Sequence, residues 1–233
     1  MRKFKFLLLL VCAFFSMQSM AVDLNKACDE TFLYLLNQKL NKQSVIISAP
    51  GYPSHTHDMS MVAEDPNHDK NKDKQYHPAE KQGWEKMISQ GRLLEKAKIM
   101  KLQSGQFEEI SYLGEKFKFY GYLMQFTKAS KPYLRVMESL GRVGLMVGNM
   151  QAVKIESFSK TEIVDGKPQV TVKFSTALAN KAPWVNDEIA KAFGINAITE
   201  GTETVKMGFY DNKWSIDVKD FLFSVKIPVF DFQ

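Results

Sequence analysis

Residues 153–176 read VKIESFSKTEIVDGKPQVTVKFST, and this stretch decides the fold class. Asp165 and Gly166 form a turn signal between a strand-like run ending at Val164 and a second run. In that second run Val170, Val172 and Phe174 alternate with polar residues. Alternation with a period of two is typical of a strand with one buried face, so we predict an antiparallel hairpin here.

The pattern recurs near the C-terminus. Val205, Met207 and Phe209 alternate, Asp211-Asn212 marks a turn, and residues 214–218 form a further short strand. Between the two hairpins, Asn186 is placed to cap a short helix through Phe193, because its side chain can accept a bond from a free backbone N–H. We predict an antiparallel meander with this helix inserted and covering one face of the sheet.

The N-terminal half contributes helices. Apolar residues recur at helical spacing from about Asp23 to Asn41, and residues 44–48 are β-branched enough for a strand. A second helix is expected from Trp84, and a hairpin with its turn at Ser104-Gly105 should follow it. The predicted fold class is therefore α+β.

The first 21 residues are typical of a signal peptide. Arg2, Lys3 and Lys5 precede the apolar run 6–15, and Ser19 and Ala21 lie at the small-residue positions of a cleavage site. That run is shorter than the roughly 20 apolar residues that span a bilayer. We expect cleavage near Ala21 and a periplasmic or secreted location, with no transmembrane segment afterwards.

Charge argues against a nucleic-acid partner. The chain has 31 basic and 26 acidic residues, and removing the three basic residues of the leader leaves 28 against 26. A net charge of +2 gives no electrostatic footprint for nucleic acid. One cysteine, Cys28, remains after the leader, and we interpret it as part of the buried face of the first helix, with an intermolecular bridge or a reactive thiol left open.

All four histidines lie between residues 55 and 77, within the polar segment 49–83. Prolines interrupt this segment and it has few large aliphatic residues, so we expect a long or disordered loop. Imidazole, carboxylate and thioether groups together suit copper, and the histidines alone would also bind zinc. The candidate metal ligands are His55, His57, Asp58, Met59, Met61, His68 and His77. A solvated linker without metal is the competing interpretation.

No catalytic constellation is found in the sequence. A G-x-S-x-G nucleophile elbow is absent, and no histidine follows His77 to complete a metallohydrolase set. We therefore predict a protein that is not an enzyme and that has no required cofactor, with copper or zinc as the metal that the histidine segment would take.

Two stretches resemble known patterns. Residues 87–94 followed by 110–117 resemble the helix-then-wing arrangement of winged-helix proteins, although nothing resembles their recognition helix. With residues 145–148, 153–158 and 183–193, the same stretches resemble a family of uncharacterised exported proteins of Gram-negative bacteria. The resemblance implies a wing-like hairpin followed by an antiparallel sheet. Met146 stands where the family motif has a cysteine, so no thiol role carries over.

The predicted organisation is a signal peptide (1–21), an N-terminal helix and strand (22–48), a histidine-rich loop or linker (49–83) and an α+β domain (84–233). The aromatic tail 221–232 is interpreted as a last strand on the core or as a strand that docks on a partner. The predicted function is non-catalytic binding of a small ligand or an envelope protein. Periplasmic copper or zinc binding by residues 55–77 is the alternative.

Overall fold

The computed structural model describes residues 26–57, 59–110, 114–137 and 142–216, and it confirms an α+β fold dominated by antiparallel strands. The helices are α1 (Asp29–Leu40), α2 (Pro78–Lys96), α3 (Asp187–Ala192) and α4 (Ile195–Thr199). Short 3₁₀ turns lie at Asp69–Asn71 and Lys128–Tyr133.

Two sheets contain the strands. The smaller has the order β2-β3-β5-β4, formed by β2 (Tyr52–Pro53), β3 (Ser60–Glu64), β5 (Lys116–Phe126) and β4 (Met100–Ile110). The larger has the order β1-β7-β9-β10-β11, formed by β1 (Ser44–Ser48), β7 (Arg142–Phe158), β9 (Lys167–Ala179), β10 (Gly201–Tyr210) and β11 (Lys213–Ile216). Two short strands, β6 (Leu134–Met137) and β8 (Glu162–Val164), pair with β7 and β9 respectively.

The main hydrophobic core joins both sheets with α2, α3 and α4. Its fully buried members include one or more residues from β1, α2, β5, β7 and α4, among them Ile47, Leu94, Met124, Val147 and Ile195. Because each sheet covers apolar side chains of the other, the two sheets stabilise one another.

A second core lies under α1. Phe32, Leu36 and Leu40 of that helix are buried against β7, β9, β10 and β11. Strand β7 takes part in both cores, with Leu145 in the first and Ile155 in the second. Its pairing with β9 shifts register after Ala152 and again after Ile155, and such bulges let a strand change the face that it buries.

The chain enters and leaves the smaller sheet through neighbouring strands. Ser48 at the end of β1 is paired with Gly144 in β7, and the N–H of Ala49 donates to the carbonyl of Val143 at 3.0 Å. The segment between these residues, which contains the whole smaller sheet and α2, therefore begins and ends at adjacent paired strands of the larger sheet.

The expectation of a long or disordered loop over 49–83 is wrong. Strand β3 lies in this segment, is paired with β5, and buries Met61, Val62 and Ala63. Helix α2 also begins here, at Pro78 and not at Trp84, with His77 as its N-cap. Five residues of β3 suffice because the neighbouring strand β5 satisfies their backbone groups.

The turn expected at Ser104-Gly105 is also wrong. Strand β4 runs straight through these residues, with Ser104 opposite Tyr122 and Gly105 opposite Gly121. The hairpin instead turns beyond Ile110, which is paired with Lys116. Helix α2 leads directly into β4, so a helix followed by a long hairpin is present.

Cys28 does not belong to the buried face of α1. It is the N-cap residue of that helix, half-buried, and its Sγ lies 3.3 Å from Oγ1 of Thr31. The helix begins at Asp29, later than expected, and residues 1–25 lie outside the described ranges.

The two predicted C-terminal hairpins and the cap at Asn186 are confirmed, although a second short helix, α4, follows α3 and the run 153–164 is divided between β7 and β8. Strands β8 and β9 form the hairpin around Asp165-Gly166, and β10 and β11 form the one around Asp211-Asn212. The side chain of Asn186 caps α3 by accepting from the N–H of Ile189 at 2.9 Å. The aromatic tail lies outside the described residues. Across the described ranges no helix is both long enough and apolar enough to span a bilayer.

Candidate functional site

The histidine segment is spread over several places in the fold. His68 is the N-cap of the 3₁₀ turn at Asp69–Asn71; its Nδ1 accepts from the N–H of Lys70 at 3.1 Å, and its ring stacks on Tyr120 at 4.8 Å. His77 caps α2, where its Nδ1 accepts from the N–H of Ala79 at 3.3 Å. Both rings therefore have local structural roles.

The two methionines of the candidate metal set have different environments. Met61 is 1 % exposed and belongs to the main core opposite Met124, so its thioether is not available to a metal ion. Met59 is 48 % exposed and has a positive φ of 51°. Asp58 lies outside the described residues.

The structure does not assemble the six described candidate ligands into one site. Within the described part of the chain, no three His, Cys, Asp or Glu side chains come together as a group that could hold a metal ion. Of the four histidines, His55 and His57 lie near one another, on the short connection between β2 and β3.

That connection is fixed by a buried carboxylate. Glu109, near the end of β4, is 2 % exposed. It accepts hydrogen bonds from the hydroxyl of Ser54 at 2.6 Å, the N–H of His55 at 2.8 Å and the hydroxyl of Thr56 at 3.0 Å. A buried carboxylate is unfavourable unless it is well hydrogen-bonded, so these three bonds hold residues 54–56 against β4.

His57 extends this network outward. Its Nδ1 lies 2.8 Å from Oγ1 of Thr56 and 3.4 Å from Oγ of Ser54, and its own N–H donates to Oγ of Ser54 at 2.9 Å. The order is carboxylate, hydroxyl, imidazole. In a Ser-His-Asp triad the imidazole lies between the other two groups, so this cluster does not have the arrangement of a nucleophilic site.

A second polar feature lies beside α2. An open cleft of about 300 Å³ is formed between the helix and the turn after β3. The lining contains two acidic residues and one basic residue together with three neutral ones. They are Asp65, Glu85, Arg92, Asn67, Ile88 and Ser89.

The charged groups of the cleft are held by neighbours. Asn67 donates from its backbone N–H to Asp65 at 3.0 Å and from its side chain to Glu85 at 2.9 Å. Arg92 donates to the hydroxyl of Tyr122 at 3.0 Å and lies over that ring at 5.7 Å. Two carboxylates and one guanidinium are thus oriented around the same opening.

The pKa of a neighbouring tyrosine, Tyr76, is raised by its surroundings. The hydroxyl of Tyr76 donates to Glu64 at 2.5 Å, and Lys74 contacts the same carboxylate oxygen at 2.5 Å. Burial first, and then the hydrogen bond and the negative charge of Glu64, raise the pKa of Tyr76 well above its ordinary value. The tyrosine therefore stays protonated where a solvated phenol would ionise.

Sequence analysis identified His55 and His57 but missed Glu109, Arg92 and Asp65. For Glu109 a signal was present: it has the same strand parity as Phe107 in residues 100–110, so an acidic residue stood on a partly apolar face. The cleft had no comparable signal, because it depends on the approach of α2 to a turn more than ten residues away.

Comparisons with known proteins identify no relative. No family model matches the chain, and no curated protein or solved structure is significantly similar to it. The resemblance to exported proteins of Gram-negative bacteria therefore stays a prediction, and functional arguments rest on the geometry above.

Proposed function

We propose that this protein is an exported, non-catalytic binding protein of the cell envelope, and that the cleft beside α2 binds a small polar ligand. The observation that carries the proposal is the presence of Arg92 together with Asp65 and Glu85 around one opening of about 300 Å³. That volume lies at the lower end of the range for small-molecule sites.

The charges favour a ligand that has both an amino and an acidic group. The two carboxylates would bind an ammonium group, and Arg92 can form paired hydrogen bonds with a carboxylate or phosphate. Ile88 is buried at the cleft and offers an apolar contact, while Ser89 is exposed and offers a hydroxyl. A zwitterion such as an amino acid or a short peptide end has this combination.

Non-catalytic binding is favoured over catalysis by the arrangement of the polar groups. Nucleophilic catalysis needs a nucleophile activated by an adjacent base. The hydroxyl of Ser54, the one nearest to His57 besides Thr56, donates to Glu109 instead of to the imidazole. Export is supported by the basic and apolar pattern of residues 1–21, with small residues before the expected cleavage position.

The test is a calorimetric titration of the protein with a panel of free amino acids, dicarboxylates and polyamines. We expect the zwitterions to bind, with the heat lost in Arg92→Gln and in Glu85→Gln. Lys81→Gln, on an exposed position of the same helix, is the matched control and should bind like the wild type.

Three results would contradict the cleft as the ligand site. They are the absence of any binding across the panel, binding that survives both cleft variants, and binding that the Lys81 control loses equally. Thermal unfolding of each variant separates lost binding from lost folding.

Copper or zinc binding by the histidine segment is the second candidate. It is favoured by one observation, the fixed orientation of the His57 ring against Thr56 and Ser54. His68, His77 and Met61 take no part in this narrower form, since each has the structural role described above.

A further inference from the structure

The position of the proton on His57 follows from its neighbours. Oγ1 of Thr56 lies 3.0 Å from a carboxylate oxygen of Glu109, 3.2 Å from the carbonyl oxygen of Glu108 and 2.8 Å from Nδ1 of His57. A hydroxyl has one proton to donate. If it were given to Nδ1, the oxygen would face two further acceptors with nothing between them.

The favourable arrangement therefore places the hydroxyl proton toward Glu109 or the carbonyl of Glu108, and the Nδ1 proton toward Thr56. Ser54 is consistent with this direction, because its hydroxyl proton is donated to Glu109 at 2.6 Å and is not available to Nδ1 of His57. In its neutral form His57 then has the free lone pair on Nε2.

The histidines at the two caps have the opposite form. Nδ1 of His68 accepts from the N–H of Lys70, and Nδ1 of His77 accepts from the N–H of Ala79. A neutral ring that accepts at Nδ1 has its proton on Nε2, so that nitrogen cannot bind a metal ion without changing tautomer. Among these three rings His57 alone is prepared to bind through Nε2.

We propose that His57, through Nε2, and His55 bind Cu(II), and that Thr56 and Glu109 are positioning residues for the His57 ring. Ligating histidines usually donate their second N–H to an acceptor that fixes the tautomer and increases the basicity of the ring. Here a buried carboxylate does so through the two hydroxyls. The exposed imidazole of His55, two residues away, supplies the second nitrogen ligand.

Two imidazoles determine the expected metal preference. The affinity of a site with nitrogen donors for divalent metal ions rises from Mn(II) to Cu(II) and is lower again for Zn(II). Cu(II) should therefore bind this site more tightly than Zn(II). Water would complete the coordination in a two-histidine site on an exposed connection. The proposal rests on the second candidate function above, metal binding by the histidine segment, and it is independent of the cleft beside α2, so either can fail without the other.

The first experiment titrates the protein with Cu(II) and then Zn(II), followed by calorimetry and by electron paramagnetic resonance of the copper. We expect one equivalent of Cu(II) to bind, with nitrogen coupling in its electron paramagnetic resonance spectrum. The Kd for Cu(II) should rise at least about tenfold in His57→Ala and in His55→Ala. The double variant His68→Ala/His77→Ala is the matched control and should bind Cu(II) as the wild type does. Absent binding, a smaller loss in either single variant, or an equal loss in the control would overturn the proposal.

The positioning role is tested by Thr56→Val and Glu109→Gln, each of which should weaken Cu(II) binding by about 10–100-fold. A second measurement needs no variant: nitrogen-15 NMR of the metal-free protein, above the pH at which the ring is protonated, reports which nitrogen of His57 has the proton. We expect Nδ1–H at His57 and Nε2–H at His68. Finding Nε2–H at His57 would overturn the inference even if some copper bound.

Discussion

The side chain of Asn37 binds both backbone groups of one residue, Ala152. Its amide donates to the carbonyl of Ala152 at 3.0 Å, and its amide oxygen accepts from the N–H of Ala152 at 2.8 Å. Ala152 stands at a register shift between β7 and β9. Pairing of β7 with β1 ends at Asn149, so this polar residue on α1 satisfies backbone groups of β7 beyond the end of β1, and it fixes the helix on the sheet.

Asn37→Ala should lower the free energy of unfolding by about 2–3 kcal/mol, because a buried backbone group without a partner costs about 1–3 kcal/mol. Urea unfolding followed by circular dichroism measures the loss. Gln38→Ala, a neighbouring change on the exposed side of α1, should stay within about 0.5 kcal/mol of wild type. Equal effects of the two changes would show that the bonds to Ala152 do not stabilise the protein.

Gly121 in β5 has no room for a side chain. A β-carbon there would collide with the carbonyl oxygen of Ala63 in the adjacent strand β3. We expect Gly121→Ala to destabilise the protein by at least about 2 kcal/mol, since the obstacle is backbone that can only move by disturbing the β3–β5 pairing.

Gly105, directly opposite Gly121 in β4, is the matched control. A β-carbon at Gly105 would meet the Phe107 ring at 3.5 Å, an ordinary contact. Gly105→Ala should therefore leave the melting temperature close to the wild-type value, or raise it because alanine restricts the unfolded chain. A large loss from this control would mean that the strand resists any substitution here.

Tyr76 should make stability depend on pH in the alkaline range. Its pKa is raised in the folded protein, chiefly by burial and then by Glu64, so above the usual tyrosine pKa of about 10 the unfolded chain loses this proton first. The contribution of Tyr76 is fully present below that pH and is lost as the pH rises toward the higher folded value.

We therefore expect the wild type to lose more stability than Tyr76→Phe when denaturant unfolding is compared at pH 9 and at about pH 10.5. Glu64→Gln removes the negative acceptor and should bring the pKa of Tyr76 part of the way back, with an intermediate pH dependence. If wild type and Tyr76→Phe decline in parallel, the raised pKa of this residue does not influence folding.

Asn186 should stabilise α3 through its cap. Asn186→Ala removes the bond to the N–H of Ile189, and loss of such a cap costs about 1 kcal/mol. Asn186→Asp retains the acceptor and should remain close to wild type. Thermal unfolding of the three proteins is the measurement, and a stable alanine variant would show that packing of the buried Ile189 is enough to hold the helix.

Local signals allowed much of the last third of the chain to be predicted. The two hairpins have a turn pair, Asp165-Gly166 or Asp211-Asn212, next to alternating strands, and α3 has its cap three residues before a buried isoleucine. Each signal lies within a few residues of the element that it specifies. Such patterns can be interpreted without knowledge of distant partners.

The N-terminal half depended on distant contacts. Strand β3 is short and flanked by polar, proline-containing sequence, and it is a strand because β5, about sixty residues later, pairs with it. The same holds for Ser104 and Gly105, which look like a turn but are held extended by Tyr122 and Gly121. Strand preference depends more on neighbouring strands than on the residues themselves.

The candidate sites were predicted in part. The sequence indicated that His55 and His57 are chemically notable, but the hydrogen bonds that hold their connection converge on Glu109, a residue more than fifty positions away. Of the other members of the predicted metal set, His68 and His77 cap helical turns and Met61 belongs to the core. A list of residue types cannot distinguish these roles.

The pairing of Ser48 with Gly144 makes the smaller sheet an insertion within the larger one. Residues 49–143 begin after β1 and end next to Gly144 in β7, and they contain the smaller sheet, α2 and also β6, which pairs with β7 of the larger sheet. In topology this segment could be removed and the remaining ends joined by a tight turn. Its removal would be energetically unfavourable, because Ile47 and Val147 of the larger sheet are buried in the core that the inserted segment completes. Host and insertion should consequently unfold in one transition, and a version of this chain without the insertion would need new apolar cover for the exposed face.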